Sequence, residues 1–361
     1  MKTKVFDLKT EYEAGISAAA KAIQNGALVV FPTETVYGIG ADATSSAAVR
    51  NIFKVKGRPM DNPLIVHIAN QQDLYRLGTE ISPLAEKLCN AFWPGSFTVV
   101  VKNKGNLPKE ISAGLDTVAI RMPASQAARD LILASETYIA APSANLSGKP
   151  SGTAVAHVIA DFDGKVPVIL DGGDTEVGVE STVCDLTRET PLVLRPGGIT
   201  VEMIAAVAGH VEVAPAVMHG LQAEEQPKSP GMKYQHYAPK AQVCIVKGAR
   251  EAVAKAINYM YDKTEEKEKH AKIFSLNDNA KSFAGKCIER LGASAEVAAH
   301  VLFDALRKTD EEEIDVVYFA AMEETGMGLA VMNRAVRAAG FQIVAAEKEA
   351  EIEAYLAGLC R

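Results

Sequence analysis

From residue 27 onward the chain alternates short apolar runs with longer amphipathic stretches. The runs ALVVF (27–31), PLIVHIA (63–69), FTVVVK (97–102), TVAIRM (117–122), YIAAPS (138–143), VPVIL (166–170), STVCDL (181–186) and PLVLR (191–195) are β-branched and bounded by Gly, Pro or Asp. Such runs predict strands. Between them, YEAGISAAAKAIQNG and SSAAVRNIFKVKG carry apolar residues at helical spacing and stop at Gly26 and Gly57, as a helix that needs a left-handed terminator does. The order predicts an α/β domain with a mixed sheet over residues 1–210.

The pattern breaks over residues 211–240, where several prolines and a polar middle leave no clear period, so this stretch reads as a linker. Its second half, SPGMKYQHYAPK, crowds Tyr234, His236 and Tyr237 together. A passive spacer rarely carries so many aromatics, so we expect it to pack on something. From 241 to 361 the alternation resumes: QVCIV, AREAVAKAINYMY, KIFSL, ASAEVAAHVLFDALRK, IDVVYFAA and LAVMNRAVRAAG. This predicts a smaller, doubly wound α/β domain.

Composition narrows the function. Of 361 residues, 48% are hydrophobic and 23% charged, an ordinary globular balance. The net charge of -7 argues against a stand-alone nucleic-acid binder, though not against a brief encounter with RNA. The five cysteines form no C-x-x-C pair, which speaks against a zinc module or disulfide framework and for reduced thiols. The first residues contain no apolar leader segment, and no apolar run is long enough to cross a bilayer. The expectation is a cytoplasmic protein without a membrane segment.

The candidate chemistry lies in the first domain. Lys56 and Arg58 sit one residue apart between a predicted helix and a predicted strand, and Ser143 and Asn145 follow in the loop APSANLSG. Cations beside small polar donors suit a polyphosphate and the charge that develops on it. Thr33, Thr35 and Tyr37 in FPTETVYG supply hydroxyls on a loop after a buried strand; alternatively they cap a strand-to-helix turn. Arg121 ends an apolar strand and must have a partner, either a substrate carboxylate or a structural acid. His67, in PLIVHIA, reads as a satisfied core residue, and Asn62 before Pro63 as ordinary turn chemistry. Ser151, Ser181, Thr182 and Arg195 are further polar residues near strand ends, where α/β proteins bind ligands. The chain has no H-E-x-x-H, G-x-S-x-G or Walker A motif. Cations and hydroxyls without a nucleophile fit phosphoryl or nucleotidyl transfer by positioning and charge stabilisation.

PTETVYGIGADA, KVKGRPMDNPLIVH, WPGSFTVV, TVAIRMP, APSANLSG, ESTV and LRPG, in this order, resemble the YrdC-like family over roughly residues 12–205. SPGMKYQHYAPK followed by an α/β domain resembles the long, two-domain threonylcarbamoyl-AMP synthases. One departure is Ser96 in WPGSFT, where the family commonly has Pro.

The resemblance implies a mixed twisted sheet with helices around a large cleft, joined to a smaller Rossmann-like domain. It implies that L-threonine, bicarbonate and ATP give L-threonylcarbamoyl-AMP and pyrophosphate. That product feeds threonylcarbamoyladenosine formation beside the tRNA anticodon, completed by a separate transferase complex. Magnesium would arrive with ATP, with no protein metal site. By carry-over, Lys56, Arg58, Ser143 and Asn145 form the catalytic group. Arg58, Asn62, Thr117, Ser143, Ser151, Arg195 and Tyr234 contact ATP, and Thr35, His67, Arg121 and Ser181 bind threonine. Residues 225–238 would close as a lid. The competing readings are a double-stranded RNA-binding module and a carbamoyltransferase-type protein; the acidic charge opposes the first and the lack of C-x-x-C the second.

Overall fold

The computed structural model describes residues 2–219 and 236–359. The chain divides into two compact units, 1–147 with 151–234 and 148–150 with 235–361.

In the first unit the strands are β1 (Lys4–Asp7), β2 (Val29–Phe31), β3 (Gly38–Asp42), β4 (Ile65–His67), β5 (Gly78–Thr79), β6 (Phe97–Asn103), β7 (Thr117–Arg121), β8 (Ile139–Ala140), β9 (Val168–Asp171), β10 (Thr182–Asp185), β11 (Leu192–Arg195) and β12 (Glu212–Val213). The helices are α1 (Tyr12–Gln24), α2 (Ser46–Lys56), α3 (Asp73–Leu77), α4 (Pro83–Phe92), α5 (Lys109–Ser112), α6 (Gln126–Ala134), α7 (Val155–Phe162), α8 (Val201–Ala208) and α9 (Ala216–His219). The sheet runs β1-β9-β2-β3-β8-β4-β7-β6-β10-β11-β12, with β5 added on β6. Parallel and antiparallel pairs mix within it, as the sequence predicts.

Residue alternation divides the central strands between core and site. Val66 of β4, Val118 and Ile120 of β7, and Val99 and Val101 of β6 join the core with Val49, Ile52 and Phe53 of α2 and Leu88 of α4. Ile65, His67, Thr117, Ala119, Arg121, Thr98 and Val100 occupy the alternate positions. Register aligns His67 with Arg121, and Arg121 with Thr98. A row of polar side chains therefore crosses three strands on one face.

Two glycines matter to this frame. Gly57 ends α2 in the left-handed conformation at φ 65°, which turns the chain from Lys56 to Arg58. Gly40 is a packing requirement: a Cβ there would come within 2.5 Å of Ile139 and 2.7 Å of Phe31. The stretch GIGAD, not among the runs read from the sequence as strands, is β3, paired antiparallel with β2. Residues 32–37 are thus a hairpin loop. Residues 211–219, read as the start of the linker, form β12 against β11 and the short α9.

The second unit is a five-stranded parallel sheet, β15-β14-β16-β13-β17, made of β13 (Gln242–Lys247), β14 (Ala271–Ser275), β15 (Ile288–Arg290), β16 (Val316–Ala320) and β17 (Ile343–Ala345). Its helices are α10 (Arg250–Glu265), α11 (Asn277–Ala280), α12 (Ala295–Glu311), α13 (Met327–Ala338) and α14 (Glu349–Gly358). Residues of α10 and α14 share one core with Cys244, Val246, Ile273 and Tyr318. A cleft of about 840 Å³ opens beyond the carboxyl ends of β13 and β16. Its two basic side chains are committed to protein groups, Lys247 to Glu324 and Arg250 to the Asp278 carbonyl. At the end of the linker, Tyr237 is buried with its ring 5.0 Å from that of Phe303. Among the described residues no helix is long and apolar enough to cross a membrane.

Candidate active site

Lys56, the last residue of α2, is buried at 3% exposure. Its Nζ donates to the backbone carbonyl of Ser143 at 2.6 Å and to that of Asn145. The Lys56 carbonyl accepts from Ser147 N at 2.8 Å. The Ser143 hydroxyl donates to Asn145 Oδ1 at 2.6 Å, and Asn145 Nδ2 donates to the Leu146 carbonyl. The K-x-R and S-x-N segments are thereby one hydrogen-bonded unit, with the lysine ammonium at its centre.

Arg58 is half-buried, and its Nη2 donates to the carbonyls of Asn62 and Pro63 at 3.4 and 3.1 Å. Asn62 is completely buried, yet neither Oδ1 nor Nδ2 has a hydrogen-bond partner among the described residues. A turn asparagine normally bonds nearby backbone; this one has both halves of its amide unused among the described residues, an exception to the pairing of buried polar groups. Thr117 lies at the amino end of β7, beside the level of Pro63 by extension of the β4–β7 register. Ser143 returns to the same end, because β8 runs antiparallel to β4 and continues into it.

The other end of β4 and β7 holds His67 and Arg121, about 13 Å further along by strand rise over four residues. Arg121 is 4% exposed; its Nη2 donates to Glu34 Oε1 at 2.6 Å and its Nε to the Gly95 carbonyl at 3.2 Å. The acid left open in the sequence is thus Glu34, from the hairpin loop. Burial alone would raise the Glu34 pKa, but the Arg121 charge and hydrogen bonds outweigh it and hold the carboxyl below its usual range. His67 is pushed down to about 3, first by burial and then by the Arg121 charge. It is therefore a neutral imidazole. Its Nδ1 is buried without a partner among the described residues, so it is not the satisfied core histidine that its strand position suggests.

Ser181 and Thr98 share a 2.8 Å hydroxyl contact. Arg195 clamps the Ser181 carbonyl through Nε and Nη2 at 3.1 and 2.9 Å. Ser151, fully buried, donates to Glu180 at 2.6 Å. Thr35 is buried beside Thr33, whose hydroxyl lies 2.8 Å from its own and donates to the Val36 carbonyl. Thr33 therefore stabilises its own turn. Backbone bonds from Val177 and Gly178 to the carbonyls of Glu34 and Thr35 tie the hairpin loop to the segment leading into Ser181.

A family model described as Telomere recombination matches residues 21–197, and one described as Threonylcarbamoyl-AMP synthase, C-terminal domain, matches residues 199–340. The threonylcarbamoyl-AMP synthase of Pyrococcus abyssi is 48% identical over 329 residues, covering 91% of this chain and 95% of that protein. The chain belongs to the two-domain threonylcarbamoyl-AMP synthase family. The Bacillus subtilis relative of the same name is 42% identical over 352 residues, covering 95% of this chain and 100% of that protein. The crystal structure of Pyrococcus abyssi Sua5 complexed with L-threonine superposes with a TM-score of 0.89 at 46% identity, covering 95% of this chain and 99% of that one.

The family's two ligand groups, carried onto this chain, do not separate cleanly. Arg58, Asn62, Thr117 and Ser143 gather at the amino end of β4. Of the others named with them, Ser151 bonds Glu180, and Arg195 bonds Ser181, whose hydroxyl meets Thr98, the register partner of Arg121. Reacting groups of two substrates must meet, so overlap at this point is chemically sensible. Tyr234 and most of the expected lid, 225–238, lie outside the described residues. Glu34, Glu180 and Thr98 escaped the sequence reading. The signal for the two acids was a lone charge inside an otherwise uncharged buried string, which must have a partner.

Proposed function

We propose that the chain makes L-threonylcarbamoyl-AMP. The amine of L-threonine and bicarbonate give the carbamate with loss of water; a carbamate oxygen attacks the α-phosphorus of ATP, and pyrophosphate leaves. The observation that carries this reading is the Lys56 ammonium, which fixes the Ser143–Asn145 loop against the end of α2. A charge-assisted pair of bonds in a buried setting gives the preorganisation that phosphoryl-type transfer needs, since little of that reaction is covalent chemistry by the protein. Arg58, at the same place, presents a guanidinium for phosphate oxygens. Magnesium enters with ATP, as part of that substrate.

Asn62 offers a donor and an acceptor to the nucleotide. Arg121 takes the threonine carboxylate, and His67, being neutral, offers an uncharged hydrogen-bonding nitrogen. Residues 225–238 act as a lid, with Tyr234 against the nucleotide, keeping water from a labile acyl-adenylate. The product passes to a tRNA-modifying transferase complex, with at most transient tRNA contact by this chain, in a cytoplasmic setting. Mass spectrometry of the reaction mixture tests the reading. An ion of the threonylcarbamoyl adenylate mass that shifts with ¹³C-bicarbonate supports it, and AMP without that ion refutes it.

A further inference from the structure

We infer that Glu34 is the positioning residue for amino-acid recognition: it holds one edge of the Arg121 guanidinium so that the other edge meets the substrate carboxylate. This deepens the function proposed above and rests on its reading of Arg121 as the carboxylate-binding residue.

Glu34 is 8% exposed and its four hydrogen-bonding positions are all taken. Oε1 accepts from Arg121 Nη2 at 2.6 Å and Ser96 Oγ at 3.3 Å. Oε2 accepts from the backbone N–H groups of Ala124 at 3.0 Å and Ser125 at 3.4 Å, just before α6. A carboxylate has about four lone-pair sites, so nothing is left over for a ligand. Glu34 acts through Arg121 and does not itself touch substrate.

Arg121 shows the complementary pattern. Its Nε and Nη2 are engaged by Gly95 and Glu34, while Nη1 has no hydrogen-bond partner among the described residues. A guanidinium is a rigid planar fork, so fixing the Nε side fixes the direction of the Nη1 side. The charge balance matters equally. Without Glu34, Arg121 would be a lone buried cation and would turn toward any carbonyl in reach. With Glu34 it stays aimed and receives a carboxylate at little reorganisation. Ser96 adds a donor that proline at this position could not supply.

A double-mutant cycle in the full-length protein tests this, following threonine- and ATP-dependent pyrophosphate release. Glu34→Gln should raise the threonine KM about tenfold, the worth of one charge-assisted bond. The ATP KM and kcat should change far less. In an Arg121→Gln background, Glu34→Gln should leave the threonine KM nearly unchanged, because the residue it positions is gone. A purely structural role would lower kcat and affect both substrates, in both backgrounds. If Glu34→Gln is not folded by its melting curve, Glu34→Asp replaces it, with a smaller rise in the same direction expected. If Arg121→Gln raises the threonine KM but neither Glu34 variant does, or if their effect persists in the Arg121→Gln background, the inference falls alone. If Arg121→Gln leaves the threonine KM unchanged, the reading of Arg121 fails first and takes the inference with it.

Discussion

Lys56 and Asn145, 89 residues apart in sequence, are joined by a hydrogen bond from the lysine ammonium to the asparagine's backbone carbonyl. The same ammonium holds the carbonyl of Ser143. Lys56 is thus a strut of the active-site loop as well as a positive charge beside it. Lys56→Ala should strip one buried and one part-buried carbonyl of their donor and cost about 2–4 kcal/mol of stability. Turnover should fall about 10²–10³-fold, the scale for losing one preorganised electrostatic group. Arg58 is less buried and bonds its carbonyls at longer range, so Arg58→Ala should lose turnover with little loss of stability. Urea midpoints and turnover, measured together, check the contrast. Equal destabilisation in both variants would contradict it.

Asn62 is fully buried with both amide atoms unpartnered among the described residues. An unpaired buried amide is costly, and an apolar side chain of similar volume removes the cost. Asn62→Leu should therefore leave the ligand-free protein at least as stable, with a gain of about 1 kcal/mol. The rise in melting temperature that ATP produces should shrink or vanish. An undiminished ATP-induced shift would show that Asn62 does not meet the nucleotide.

His67 links stability to pH with a definite sign. Its folded-state pKa lies near 3, below the ordinary 6.5, mainly through burial. Below pH 6.5 the unfolded chain takes up a proton that the folded protein refuses. The stability contributed by neutral His67 is therefore present above that pH and declines as pH falls toward 3, by up to about 1.4 kcal/mol per unit. Glu34 works in a lower window: its contribution is full above the ordinary carboxylate pKa and is lost as pH falls from there through its depressed folded-state value. Denaturation midpoints between pH 7.5 and 5 should fall more steeply for the natural protein than for His67→Gln. Parallel curves would mean that His67 titrates normally in the folded state.

Much of the frame was legible because its rules are local. The runs containing β4 and β7 are apolar, β-branched and bounded by breakers, and Gly57 marks the end of α2 at the expected residue. β3 was not legible, because Gly38 and Gly40 look like turn residues. Only the assembled sheet shows that Phe31 and Ile139 exclude a side chain at Gly40. At the site, the need of Arg121 for a partner followed from burial alone. Which partner it takes depends on a hairpin 87 residues away in sequence, and no local pattern reports such a pairing. His67 was misread for the same reason: a strand position predicts burial, but not whether Nδ1 finds a bond.

Pyrophosphate release from Mg-ATP by the full-length protein, with threonine and bicarbonate omitted in turn, tests the central claim most directly. The account predicts release only when both are present, and its abolition by Arg58→Ala. Release that ignores both omissions would make the protein a plain ATP pyrophosphohydrolase and contradict the proposed reaction.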